Sequence, residues 1–224
     1  TADATAEGSV RACVDHPHVH LPLNVHGKID VGGGVGQGIL SVTRFTGLKE
    51  PVVGSCEILT GEIAEDLTKY LYDSEQTPSS VALGVLVAPD FTILAAGGFF
   101  VQPLPGASEE GLTRLEENLA SLPAVSDMVH GGMTAREMAE CVLAGCGAVE
   151  IIAETDLAFR CPCSKERVER VLLGLGRDDL ASLVDDGKAE VCCHFCGEKY
   201  LFTGEELERL LREKSGEGGN AHGA

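Results

Sequence analysis

The chain has 224 residues, 44% of them hydrophobic and 23% charged, a composition that sustains a packed core and excludes an intrinsically disordered protein. Its 35 acidic against 17 basic side chains leave a net charge of −18, which excludes a partner gripped through its phosphate backbone over a broad cationic face. No apolar run approaches the roughly 20 residues that cross a bilayer. No basic-then-apolar leader opens the chain, whose first residue is Thr1 rather than Met.

Gly8 to Asp15 reads as a strand with Val10, Ala12 and Val14 on one face. It has no visible partner upstream, so the parent protein is expected to start earlier. The turn-rich segment that follows alternates His16, His18 and His20, which read as exposed loop histidines rather than a metal site. The glycine cluster Gly32-Gly-Gly-Val-Gly-Gln-Gly38 fails as a phosphate loop, because Ile39-Leu40 stands where Lys-Ser/Thr is needed. Tight-turn glycines before a strand account for it better. Strands are expected at Gly38–Phe45 and Pro51–Ile58, and a helix from Gly61 to Asp73 with Ile63, Leu67, Tyr70 and Leu71 on its apolar stripe. Ser74-Glu-Gln-Thr-Pro78 stops that helix. Val81–Val87 and Thr92–Val101 are strong strand candidates, and Gly97-Gly98 marks a bulge or a close backbone approach.

Beyond Pro103-Leu-Pro105-Gly106, Leu112, Leu115, Leu119 and Leu122 recur at three and four, an amphipathic helix closed by Pro123. A second helix starts at Thr134, whose spacing to Glu137 matches a capping box, and runs towards Cys146. Short helical runs follow at Lys165–Leu175 and Asp178–Asp185. Ala189–Cys192 and Lys199–Phe202 form a hairpin, and Thr203 with Glu206 opens a last helix. The fold class is therefore α/β: a mixed sheet core with packed helices, a helical linker, and a small C-terminal four-cysteine zinc module. The divisions fall at 1–107 for the sheet domain, 108–152 for the linker, 153–215 for the module and 216–224 for a disordered tail.

Nine cysteines is an odd number, and four of them form Cys161-Pro-Cys163 and Cys193-His-Phe-Cys196. Such pairs read as a metal or redox site in a reducing compartment rather than a secreted disulfide framework, which points to the cytoplasm. Four thiolates on two short loops suit one Zn²⁺, which takes tetrahedral sulfur ligation and has no redox chemistry of its own. The module is small and its apolar core thin, so metal binding is expected to supply much of its folding energy. The ligand atoms are themselves oxidisable, and their loss to an oxidant should unfold it. A structural knot and a switch both remain open on spacing alone. Cys192 reads as a bystander on the strand side of the turn; Cys13, Cys56, Cys141 and Cys146 read as small buried or helix-associated thiols.

The collinear segments Lys28-Ile-Asp-Val-Gly-Gly-Gly-Val-Gly36, Thr60-Gly-Glu-Ile-Ala-Glu-Asp66 and Ser74-Glu-Gln-Thr-Pro-Ser79 carry a further signal. With Val81–Val87, Ala95-Ala-Gly-Gly98, Gln102-Pro-Leu-Pro-Gly106, the two thiol pairs and Gly197-x-x-Tyr200-x-Phe202, the chain resembles the redox-regulated holdase chaperones of the thirty-three-kilodalton heat-shock family. The likeness spans Gly8 to Leu211. Family chains begin well before the equivalent of Gly8, so the resemblance implies an N-terminally truncated member.

The resemblance implies an ATP-independent, non-enzymatic chaperone of the stress response. One Zn²⁺ per chain sits on Cys161, Cys163, Cys193 and Cys196 in the reduced, inactive form. Oxidation joins Cys161 to Cys163 and Cys193 to Cys196, releases zinc, and unfolds module and linker. The active form dimerises and binds unfolding client proteins, with no nucleic acid and no membrane as partner. By residue match Leu112, Leu115, Leu119 and Leu122 are the concealed surface that then meets clients. Cys192 and Cys13 offer alternative partners for disulfide formation. The competing function is a constitutive structural zinc module in a protein- or nucleic-acid-interaction protein, with no redox switching. A hydrolytic enzyme is disfavoured because four thiolates leave no open position on the metal.

Overall fold

The computed structural model describes residues 1–25 and 27–217. In chain order the elements are β1 (Ala2–Ala4), β2 (Ser9–Ala12), α1 (Val31–Val35), β3 (Ile39–Arg44), β4 (Val52–Glu57), α2 (Ile63–Asp73), β5 (Ser80–Val87) and β6 (Ile93–Val101). They continue as α3 (Glu109–Ser121), α4 (Val125–His130), α5 (Ala135–Val142), β7 (Ala158–Phe159), α6 (Lys165–Gly174), α7 (Arg177–Asp185), β8 (Lys188–Cys192), β9 (Lys199–Thr203) and α8 (Gly204–Glu217). The mixed α/β class with packed helices is the one the sequence indicated. Contacts group these elements into two compact units, His18–Ile152 and Thr1–Pro17 together with Ala153–Ala224.

The sheet unit, His18–Ile152, holds two antiparallel hairpins, β3–β4 and β5–β6. Helix α2 forms where the apolar period changes from two to three and four. Its buried Asp66 accepts from the backbone N–H groups of Leu59, Thr60 and Gly61 at 2.7, 3.2 and 2.9 Å, so the carboxylate closes the turn that delivers the helix. At the other end the buried Tyr70 hydroxyl donates to Glu75, which also pairs with Arg44 at 2.7 Å.

Helix α4 lies across β5–β6 at a pair of facing glycines, Gly84 and Gly97. A Cβ at Gly84 would stand 2.5 Å from the Ser126 backbone nitrogen, and one at Gly97 would stand 2.7 Å from Val129 Cγ2. Only residues without a side chain admit the helix at this distance. Val125, Met128 and Met138 are buried there, against Ala82, Phe99, Leu122 and Val129.

In the cysteine unit β2 is the middle strand of three, antiparallel to β1 and parallel to β7. The β8–β9 hairpin packs against α7 and α8, with α6 on α8. Leu172, Leu180, Ala189, Phe202, Leu207 and Leu210 are buried as one cluster.

Several expectations are corrected. The first strand does have a partner upstream, since Ala2–Ala4 pairs with it, and a second in Ala158–Phe159. By contacts, 1–17 group with the cysteine module, and α3–α5, which lie within the 108–152 expected as a linker, group with the sheet unit; the domain divisions themselves stand as the expectation given above. The glycine cluster contains a single helical turn, because the Asp30 carboxylate caps it by accepting from Gly33 N at 3.0 Å. Helix α4 was unforeseen, although Val125, Met128 and Val129 carry helical spacing, because Pro123 reads as a stop. Gly97 marks a close approach, while the register shift of this hairpin lies at Leu86/Val87. The core of the cysteine unit is not thin, because α6, α7 and α8 close over the hairpin and bury it. Helix α8 runs to Glu217, and the remainder of the tail expected over 216–224 lies outside the described residues.

Candidate metal centre

Two local backbone devices set the thiols. Cys161 and Cys163 fill the short passage between β7 and α6, whose N-cap Ser164 accepts from Arg167 N at 3.3 Å. Cys193 and Cys196 sit on the turn between β8 and β9. There Cys193 N donates to Glu198 O at 2.8 Å and Gly197 N donates to Cys193 O at 2.9 Å. Gly197 takes a φ of 74°, a conformation glycine adopts without strain, and so bends the chain back under the second pair.

The four sulfurs lie within 4.8 Å of one another. Across the pairs, Cys161 and Cys193 stand 3.6 Å apart and Cys163 and Cys196 3.3 Å. Sulfurs at ~2.3 Å from a tetrahedral ion stand about 3.8 Å apart, so the quartet fits a closed four-thiolate site with little movement. Among the described residues no other group of His, Cys, Asp or Glu gathers in this way. Cys192 is left out: its exposed thiol donates to the carbonyl of Gly197 at 3.4 Å. His16, His18 and His20 stay exposed, and Cys146 donates to Gly111 O at 3.6 Å without meeting Cys141 in a site.

The surroundings favour thiolate at some sulfurs and disfavour it at others. A backbone hydrogen bond from Cys163, aided by the Arg11 guanidinium, draws the Cys161 thiol down to about 6. Cys193 is lowered as well, first by the Cys196 backbone N–H. Cys196 is drawn down by the Glu198 backbone, yet sharing with the Cys163 thiol and its other sulfur neighbours pushes it up to about 12. A divalent cation among these sulfurs would favour their thiolate forms.

Two side chains donate to the sulfurs from opposite ends of the chain. The Tyr200 hydroxyl reaches Cys163 Sγ at 3.1 Å. Arg11 Nη1 reaches Cys161 Sγ at 3.7 Å, and its guanidinium lies 3.9 Å from the centre of the Phe195 ring. Tyr200 was visible as part of a motif. Arg11 was not, because it stands 150 positions from Cys161 and the local pattern around it marks only a strand. Behind the site, Lys165 pairs with Glu206 at 2.6 Å, and the Thr203–Glu206 capping box forms as expected.

Leu112, Leu115 and Leu119 lie half-buried on α3, and Leu122 at its end packs against the cluster of Val125, Met128 and Met138. They belong to the sheet unit, and their stripe is concealed in part, not in full. No helix among the described residues is long and apolar enough to cross a membrane.

Comparison with known proteins gives one answer throughout. The family model for the Hsp33 protein matches residues 1–203. The 33 kDa chaperonin of Bacillus licheniformis is 50% identical over 214 residues, covering 95% of this chain and 73% of that protein. The 33 kDa chaperonin of Bacillus subtilis is 50% identical over 211 residues, covering 93% and 72%. The crystal structure of the 33 kDa chaperonin from Thermotoga maritima superposes with a TM-score of 0.85 at 38% identity, over 96% of this chain and 73% of that one. A collinear family match over nearly the whole chain, a shared fold and a sulfur quartet built for a metal ion lead to a single assignment: the chain belongs to the Hsp33 family of chaperones.

Proposed function

We propose that this chain is an ATP-independent holdase whose four cysteines act as an oxidation switch. The observation that carries the reading is the closed sulfur quartet of Cys161, Cys163, Cys193 and Cys196, each sulfur within 4.8 Å of the others. Hsp33 chaperones bind unfolding proteins and are not enzymes, and a closed quartet is consistent with that. A bound Zn²⁺ would supply a tetrahedral cross-link between the two loops and no redox chemistry.

Oxidation acts on the ligands. Two thiolates give two electrons to one hydrogen peroxide, which takes up two protons and leaves as two waters, while an S–S bond forms. Two peroxides convert the four thiolates into two disulfides, and the site then has no anionic sulfur with which to hold the ion. The family pairing is Cys161 with Cys163 and Cys193 with Cys196. Sulfurs of different pairs approach to 3.6 and 3.3 Å and all four fall within 4.8 Å, so this geometry supports either pairing and peptide mapping decides. With the cross-link gone, the module and the helices over 108–152 loosen, and Leu112, Leu115, Leu119 and Leu122 become the client-binding surface. Such an apolar stripe holds partners through area rather than sequence, and the net charge of −18 keeps the opened form soluble. The active form pairs as a homodimer, and the thiol chemistry suits a reducing cytoplasm.

The test follows zinc release, with a chelating dye, and suppression of light scattering by an aggregating client. Both are read on one sample during stepwise peroxide addition and then reduction by dithiothreitol. Holding that rises as zinc leaves and falls on reduction is the expected result. Zinc release with no gain in holding would overturn the switch and leave a structural zinc module. The double variant Leu115→Ser, Leu119→Ser is expected to release zinc normally and to hold client poorly.

A further inference from the structure

The N-terminal hairpin is fastened to the four-cysteine cluster by one side chain. Arg11, on β2, spends its guanidinium on three neighbours. Nε and Nη2 both donate to Asp3 Oδ2, at 2.8 and 2.6 Å, which orients the planar group from the adjacent strand. Nη1 is left to donate to Cys161 Sγ at 3.7 Å. The guanidinium carbon Cζ stands over the Phe195 ring, 3.9 Å from its centre. Phe195 lies between Cys193 and Cys196, so this residue touches the first thiol pair through a hydrogen bond and the second through a ring.

The backbone repeats the connection. β2 pairs in parallel with β7, Ser9 opposite Ala158 and Val10 opposite Phe159. Ala158 N donates to Gly8 O at 3.0 Å and Arg160 N to Val10 O at 3.1 Å, which carries the pairing to the residue before Cys161. Gly8, at φ 80°, is what lets the hairpin sit there: a Cβ on it would stand 2.1 Å from the Asp156 carbonyl oxygen. A planar fork, a ring and a strand edge thus converge on one thiol loop. An exposed ion pair such as Arg11–Asp3 contributes little to stability by itself, so its use here is orientation.

We propose that Arg11 is a positioning residue that clasps both thiol loops from the N-terminal hairpin, raising the hold of the cluster on its metal ion and coupling the order of residues 2–12 to the state of Cys161. The proposal rests on the zinc-binding reading given above. Groups that hydrogen-bond a metal's ligands set their orientation, and losing one costs about tenfold or more in metal affinity. A lysine keeps the charge but has neither the fork nor the flat face.

The test uses the reduced, zinc-loaded full chain and the variants Arg11→Ala and Arg11→Lys, with no oxidant present. Zinc retained against a graded chelator is measured together with amide hydrogen exchange over 2–12, 158–160 and the α7–α8 core. Arg11→Ala is expected to give up zinc about tenfold more readily, with faster exchange over 2–12 and an unchanged core. Arg11→Lys should lie between. Stripping zinc from the unaltered chain should itself speed exchange over 2–12. If Arg11→Ala disturbs the core, Phe195→Leu removes only the ring under the guanidinium and should shift zinc retention the same way. Zinc retention equal to that of the unaltered chain in Arg11→Ala, or exchange over 2–12 that ignores zinc, overturns the proposal while zinc binding stands. An unaltered chain that binds no zinc instead overturns the parent reading.

Discussion

The phenolic hydroxyl of Tyr200 donates to Sγ of Cys163 across 3.1 Å, and so ties strand β9 to the thiol pair that precedes α6. The bond belongs to the sulfur as much as to the tyrosine: donation to Cys163 holds the phenol above its ordinary range. Tyr200→Phe keeps the ring and removes the donor. It is expected to leave the fold intact and to lower zinc affinity by up to about tenfold. Competition with a chelator measures the loss; an unchanged affinity would show that the hydroxyl is idle.

Phe202 is 1% exposed at the centre of the cluster formed by Leu172, Leu180, Leu207 and Leu210. Phe202→Ala is expected to cost about 3–5 kcal/mol, because the cavity cannot collapse among three helices and a hairpin. Urea unfolding of the reduced zinc-bound chain reads this directly. The same variant should reach full client holding at a lower peroxide dose, since less of the cysteine unit's own packing has to be overcome.

Gly84→Ala tests the seat of α4. The added Cβ meets backbone, the Ser126 nitrogen at 2.5 Å, so the helix itself must lift. A loss of about 1–3 kcal/mol is expected in the sheet unit. Amide exchange should rise in α4 and around Met138 while the cysteine unit is unaffected. Uniform protection in both units would contradict the close-approach account of this glycine.

Glu206 gives a dependence on pH. Its ion pair with Lys165, followed by the Thr203 backbone N–H, draws the carboxylate from 4.5 to about 2. A carboxylate lowered on folding contributes stability that is complete above its unfolded value and is lost as pH falls through its folded value. The stability difference between the chain and Glu206→Gln is therefore expected to be constant above pH 4.5 and to shrink from there towards about 2. Denaturation midpoints at a series of acid pH values measure it, and a difference that grows on acidification would refute the assignment.

Much of this was legible along the chain. The change of apolar period at Ile63 and the capping boxes at Thr134 and Thr203 are short-range facts, settled within a turn or two of backbone. So are the thiol pairs, since Cys193 and Cys196 share one hairpin turn. The glycine cluster misled because one aspartate, Asp30, supplies a cap that turns a loop into a helical turn. The leucine stripe of α3 was readable as apolar; its half-buried state was not, since exposure depends on what packs beside it.

What the amino-acid order determined alone is most of the longer elements and the four-cysteine quartet, because helix caps, strand alternation and turn geometry act between near neighbours. What only the tertiary structure decided is who meets whom. Arg11 reaches Cys161 from 150 positions away, and β2 finds β7 as its parallel partner. Gly84 receives α4. Contacts of that kind arise when strand edges and apolar faces seek cover in three dimensions, and no periodicity in a single chain encodes which distant edge or face will supply it.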